Sequence, residues 1–157
     1  TDAALWQRML DINLTGTFHC IQAAAESLLA MPEARLINIA STAGQTGYPY
    51  VAAYCAAKHG VVGLTRALAR EWATRSITVN AVCPGFTDTD LTRASIDRIV
   101  RLTGRSDDEA MSSLTSTNPQ RRLIRPDEVA TAVAWLCAPG SGSVTGQCIS
   151  VAGGEVT

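Results

Sequence analysis

Apolar residues recur at near-helical intervals from Leu5 through Met9, Ile12, Leu14, Phe18 and Ile21 to Leu28. This spacing predicts one long helix, capped by Asp2 and stopped before Pro32. The period then changes. Residues 35–40 (Arg-Leu-Ile-Asn-Ile-Ala) form a short β-rich run that ends at Ser41-Thr42-Ala43-Gly44 and reads as a buried strand. From about Ala52 to Thr74 an Ala-rich stretch sets Val61, Leu64, Leu68 and Trp72 on one face, which predicts a second helix. Residues 77–82 make a second strand, halted by Pro84-Gly85. The polar segment 88–119 holds two weaker helical stretches, the second opened by a capping-box pattern from Ser106 to Glu109. Pro126 with Asp127 and Glu128 opens a further helix carrying Val129, Val133, Trp135 and Leu136, and Pro139-Gly140 ends it. Residues 147–151 supply a third strand.

Helices alternating with strands predict an α/β fold with a parallel sheet covered by helices. Three strands are few for such a sheet, because near-continuous apolar strands need both faces covered and both neighbours paired. The expectation is the C-terminal half of a doubly wound, Rossmann-like domain whose N-terminal strands are missing. Residues 1–157 are then one partial domain, with about 88–118 as a substrate-facing insertion.

Composition narrows the function classes. The 157 residues are 46% apolar and 17% charged, which suits one globular domain. No apolar run approaches the roughly 20 residues of a membrane span, and the first residues lack an export pattern, so a cytoplasmic location is expected. A net charge of −1 with interspersed signs gives no footprint for nucleic acid and leaves a small-molecule partner as the expectation. Five scattered cysteines read as buried free thiols, and the two histidines lack ligand neighbours, so no metal site is expected. Arg121, Arg122 and Arg125 stand beside Asp127 and Glu128, which favours ion pairs over a phosphate site by about two to one.

One compositional fact points to chemistry. Of 13 basic residues 12 are Arg, and Lys58 is the single Lys. Arg stays charged, whereas an ammonium is compact and tunable, so an isolated Lys marks a place that needs the ammonium itself. It falls four residues after Tyr54, on the same helical face one turn away. A phenol has a pKa of about 10, and a neighbouring cation brings it toward the working range of an acid or base. Ser41 follows a strand directly, where hydroxyls line the ligand crevice of open α/β sheets and can stabilise a developing alkoxide. Asn13 and Gly16 both lower helix propensity in mid-helix, a local cost that a kink or a polar relay would explain. The glycines of residues 140–146 follow a helix and precede a strand, the reverse of a phosphate-binding loop, so this segment is a connection.

These residues resemble the C-terminal portion of the short-chain dehydrogenase/reductase family. The likeness runs from Asn13-Leu14-Thr15-Gly16 through Ile37 to Ser41, Tyr54 to Lys58 and Asn80 to Gly85, to Val144-Thr145-Gly146-Gln147 and Gly153-Gly154. Ser41 precedes Tyr54 by 13 residues, the family's common spacing. The resemblance implies a tetrad of Asn13, Ser41, Tyr54 and Lys58, working with NAD or NADP on a secondary alcohol or its ketone. In that scheme Tyr54 carries the proton and Ser41 holds the carbonyl. Lys58 lowers the tyrosine pKa and binds the nicotinamide ribose, and Asn13 holds a relay water. Pro84, Gly85, Phe86, Thr87 and Thr89 would lie along the nicotinamide. The closest overall similarity is to 3-oxoacyl thioester reductases and 3-hydroxyacyl dehydrogenases, which implies a homo-oligomer, dimer or tetramer, built on helices 3–30 and 52–74. The family's glycine-rich cofactor fingerprint has no counterpart in these residues. The alternative is therefore a catalytically incompetent piece that keeps only packing and subunit contacts.

Overall fold

The computed structural model describes residues 1–157. The Leu5 amide donates to the Asp2 carboxylate at 2.8 Å and starts helix α1 (Ala3–Leu10), satisfying a donor that has no partner within the helix. The helix does not run uniformly onward. Residues Asp11–Thr15 are wound as π-helix before α2 (Gly16–Ala30) resumes. Asn13 is the centre of this segment, and its Nδ2 donates to the Met9 carbonyl at 3.1 Å. The propensity cost at Asn13 and Gly16 thus marks a change of winding within one rod. The expected apolar stripe is largely uncovered: Ile21 is buried, but Leu5, Ile12 and Phe18 are exposed. The rod's main contacts are with α3 and with β1.

Strands β1 (Ala34–Ile39), β2 (Ile77–Pro84) and β3 (Cys148–Val151) form a parallel sheet in that order, with Leu36 opposite Val79 and Val82 opposite Ile149. The α/β layering is the expected one. The central strand β2 is buried along nearly its whole length and runs on to Pro84, two residues past its expected end. Proline has no N–H to give; the Gly85 amide supplies the next link by donating to Val151 at 3.1 Å.

Helix α3 (Ala52–Glu71) packs on one face of the sheet. Val61 and Val62 meet Ala40, Ala81 and Cys83, and Ala69 meets Ala34, Ile77 and Val79. Each such buried valine contributes roughly 1.5–3 kcal/mol. The one polar pair in this core is satisfied, with Asn38 Nδ2 donating to Thr65 Oγ1 at 2.9 Å and Thr65 donating to the Val61 carbonyl at 2.8 Å. Between β2 and β3 the chain forms α4 (Asp90–Thr103), α5 (Asp107–Thr115) and α6 (Pro126–Cys137). The Ser106–Glu109 capping box that opens α5 is complete, and α6 lies against all three strands from the other face. No helix is long and apolar enough to cross a membrane. Cys55 and Cys83 are buried and Cys148 half-buried, but Cys20 and Cys137 are exposed. This corrects the expectation of five buried thiols, since both exposed ones point outward from helices with one covered side.

A close backbone approach joins the turn after β1 to α3. A Cβ on Gly44 would stand 2.7 Å from the Lys58 carbonyl oxygen, a distance that backbone cannot yield. Gly63, on the exposed side of the same helix, has nothing within 4 Å of its would-be Cβ. Gly44→Ala is therefore expected to lower stability by about 1–3 kcal/mol, while Gly63→Ala raises it by about 0.5–1 kcal/mol. Urea melts of the two variants check this; equal midpoints would mean that the turn is free to retreat from the helix.

Candidate active site

The carboxyl end of β1 delivers Ser41 in extended backbone (φ −176°, ψ 160°), where its Oγ accepts from the Ala43 amide at 3.1 Å and caps the turn Thr42–Gly44. Tyr54 lies in the first turn of α3 and Lys58 one turn on. The Lys58 Nζ sits 5.8 Å from the centre of the Tyr54 ring and donates to the Ile39 carbonyl at 3.0 Å. The sheet thus offers the ammonium a backbone acceptor two residues before the serine. Gly44 seats the turn directly on the Lys58 backbone, which brings the Ser41 turn close to Lys58.

Burial governs the titration of both groups. It pushes the Tyr54 phenol above its ordinary value, with the Ser41 hydroxyl acting against it. It pushes the Lys58 ammonium down, opposed by the neighbouring Cys83 sulfur. The sequence expectation that Lys58 holds the resting phenol low is not what the chain displays. The ammonium is turned to the Ile39 carbonyl, so desolvation outweighs its attraction for a phenolate that has not yet formed.

Asn13 stands apart from the other three. Its amide is spent on Met9, and no hydrogen bond links it to Lys58. Its segment nevertheless packs on α3, where a Cβ on Gly60 would meet the Leu14 side chain at 2.7 Å. The structure brings Ser41, Tyr54 and Lys58 together and lays the element carrying Asn13 alongside.

In the loop after β2, Thr87 and Thr89 use their hydroxyls internally. Thr87 donates to the Gly85 carbonyl at 3.0 Å, and Thr89 accepts from the Thr92 amide at 3.4 Å, capping α4. Backbone pairing with Ile124 pins the loop, through Ile124 N–H to Phe86 O and Asp88 N–H to Ile124 O, each at 2.9 Å. The Phe86 ring meets Tyr48 edge-on at 6.5 Å. Gly85 is closely overlaid by Glu155, whose Oε2 would stand 2.8 Å from a Cβ there.

Residues that sequence reasoning missed border this loop. Tyr48 Oη lies 2.8 Å from both Thr42 Oγ1 and Glu155 Oε1, and Thr117 donates to the same Glu155 oxygen at 2.6 Å. Tyr48 is pushed up to about 12, mainly by burial. The only sequence signal for this cluster is the Gly153-Gly154 pair, whose positive φ angles of 62° and 92° turn the chain back after β3. A concavity of about 480 Å³ lies at the amino ends of β1 and β2, lined by Arg35, Ile77 and Thr78 and not by Tyr54. The arginine cluster forms ion pairs as expected, with Arg122 bidentate on Glu128 at 2.7 and 2.8 Å and Arg125 on Asp127 at 3.1 Å.

Comparison with known proteins follows the same geometry. The family model described as enoyl-(acyl carrier protein) reductase matches residues 1–155. A provisionally named ketoacyl reductase of Streptomyces coelicolor is 41% identical over 152 residues, covering 96% of this chain and 58% of that protein. The 3-oxoacyl-[acyl-carrier-protein] reductase of Synechocystis is 39% identical over 153 residues, covering 96% and 56%. A crystal structure of an actinorhodin polyketide ketoreductase with NADPH superposes with a TM-score of 0.91 at 40% identity, covering 98% of this chain and 60% of that one. The chain thus spans a little under three-fifths of the length of these curated relatives.

The Arg122 clasp has a defined pH signature. Arg122, and then the Arg125 amide, hold Glu128 down from 4.5 to about 2. A depressed carboxylate contributes stability that is fully present above its unfolded value and fades as pH falls through the folded one. The difference in Tm between the native chain and Glu128→Gln should be constant from pH 7 to pH 5 and shrink below that, toward pH 2. A difference that is flat across the whole range would show that the pair contributes no proton linkage.

Proposed function

Because the chain belongs to the short-chain dehydrogenase/reductase family, we propose that it carries the reacting half of an NAD(P)-dependent ketone reductase acting on 3-oxoacyl thioesters. The observation that supports this most is the convergence of Ser41, Tyr54 and Lys58 at the carboxyl end of β1. The substrate class follows from the names of the relatives and from their identity of about two residues in five.

The nicotinamide end of the cofactor fits the residues present. Two N–H groups of Lys58 remain beyond its bond to Ile39, suited to ribose hydroxyls. Pro84, Gly85 and Phe86 give a loop with little side-chain bulk at Gly85 and a half-exposed ring beside it; Thr87 and Thr89 complete it. Bound there, the cofactor supplies the hydride. The chain's own residues manage the proton. A phenol raised by burial is protonated at neutral pH, which suits Tyr54 to give a proton to the carbonyl oxygen as it becomes an alkoxide. Ser41 donates a hydrogen bond to that oxygen and holds it in reach. Once the phenol has lost its proton, the Lys58 ammonium stabilises the phenolate at short range in a partly desolvated site. Asn13, freed from Met9 or through a water, would extend the route by which Tyr54 is reprotonated.

The exposed Leu5, Trp6, Ile12 and Phe18 of α1 and α2 support a homo-oligomer that buries this side against a second copy. Sedimentation velocity should then report a dimer or tetramer; a monomer at working concentration would overturn the assignment of that face.

One observation favours a second reading, a piece without activity of its own. No segment of the 157 residues has glycines that follow a strand and open a helix, so none grips a pyrophosphate. Turnover of a 3-oxoacyl thioester and of the matching 2-enoyl thioester, followed by loss of reduced-nicotinamide fluorescence, tests both readings. Carbonyl reduction should exceed enoyl reduction, and Tyr54→Phe should lower it about 10²- to 10⁴-fold with the circular-dichroism melt unchanged. Activity retained in Tyr54→Phe would remove the phenol from its role. No calorimetric heat with NADH or NADPH would favour the inert piece.

A further inference from the structure

Glu155 accepts hydrogen bonds from two directions on one oxygen, from the Tyr48 phenol at 2.8 Å and the Thr117 hydroxyl at 2.6 Å. Its other oxygen leans over Gly85, which has no side chain to displace it. Tyr48 and Thr42 belong to the segment that follows β1, and Thr42 is the neighbour of Ser41. Thr117 belongs to the end of the 88–118 segment, and Glu155 follows β3. Three stretches of chain, 107 and 38 residues away in the widest and narrowest steps, meet at a single carboxylate.

The direction of each hydrogen bond is fixed by that charge. An ionised carboxylate can only accept, so the Tyr48 proton points to Glu155. A phenol has one proton, so its oxygen must accept from Thr42, whose hydroxyl is therefore the donor. The influences on Tyr48 agree with this polarity: Thr42 favours its phenolate, whereas Glu155 disfavours it. Thr42 is 4% exposed, so its hydroxyl has no solvent alternative. A second contact runs beside the first. The buried Asn118 side chain lies where a Cβ on Gly153 would be, and Pro119 packs 3.3 Å from the would-be Cβ of Gly154. Asn118 is itself braced, with Nδ2 donating to the Arg122 carbonyl and Oδ1 accepting from the Gln120 amide, both at 2.8 Å.

We propose that Glu155 is a positioning residue whose carboxylate fastens the 88–118 segment, through Thr117, to the Ser41 turn, through Tyr48 and Thr42. Seating that segment and aligning the serine hydroxyl are then one event. The inference rests on the function proposed above for the meaning of Ser41, and on hydrogen bonds alone for the coupling.

Hydrogen exchange followed by mass spectrometry tests it without cofactor or turnover. Tyr48→Phe and Thr117→Val each remove one hydroxyl from the clasp and keep the side chain's shape. Coupling is reciprocal, so Tyr48→Phe should speed exchange in residues 107–118, to which Tyr48 makes no hydrogen bond, by about tenfold, the scale of one hydrogen bond to a charged group. Thr117→Val should do the same in residues 42–48. Exchange in α6 should stay as it was. Glu155→Gln, which keeps an acceptor oxygen but loses the charge, should fall between the native chain and Glu155→Ala. If each variant loosened only its own segment, or neither, the clasp would be local packing and the proposal would be wrong. Coupling without any turnover would leave the clasp standing and count only against the catalytic reading.

Discussion

The arrangement of Ser41, Tyr54 and Lys58 depends on how closely the turn after β1 approaches α3. A missing side chain at Gly44 lets the Lys58 backbone come within a distance that no other residue would permit. That approach is what lets a lysine on a helix reach the Ile39 carbonyl of a strand, and it leaves Ser41 and Tyr54 facing the same space. Remove the approach, and strand and helix would still pack through Val61, Val62 and Ala81, but the three polar side chains would not share a site.

Desolvation then sets the direction in which the site is poised. The same burial that holds the phenol protonated makes the ammonium less willing to stay charged. These shifts oppose each other in the resting chain and become cooperative once a proton has left Tyr54, because a phenolate and an ammonium in a partly dry site attract strongly. A phenol raised in this way keeps its proton at rest, which is the state that the proposed reduction needs.

The order of helices and strands was legible because the period of apolar residues switches cleanly at Pro32, Gly44 and Pro84. Lys58 was legible through its scarcity, and Tyr54 through its spacing. What could not be read were partners supplied by backbone or by distant chain. The acceptor for Lys58 is a carbonyl, and every residue has one. Glu155 is one of 14 acidic residues, and its meeting with Tyr48 exists only because Gly153 and Gly154 reverse the chain after β3. What lies against the opening rod was not legible either, since helical period reports which side is apolar but not what covers it. The shift of Tyr54 was misjudged because spacing shows that a cation is near without showing where it points.

The π-wound stretch from Asp11 to Thr15 has a geometric effect beyond Asn13 itself. One surplus residue in a turn changes azimuth by about 100°, so side chains before and after it obey different rotational phases. Leu14, inside the stretch, lies against Gly60, and the residues of α2 beyond it follow a rotational phase different from that of α1. Excising a single residue from this stretch would act as a screw adjustment, rotating one portion of the rod against the other while leaving every hydrophobic residue in the sequence.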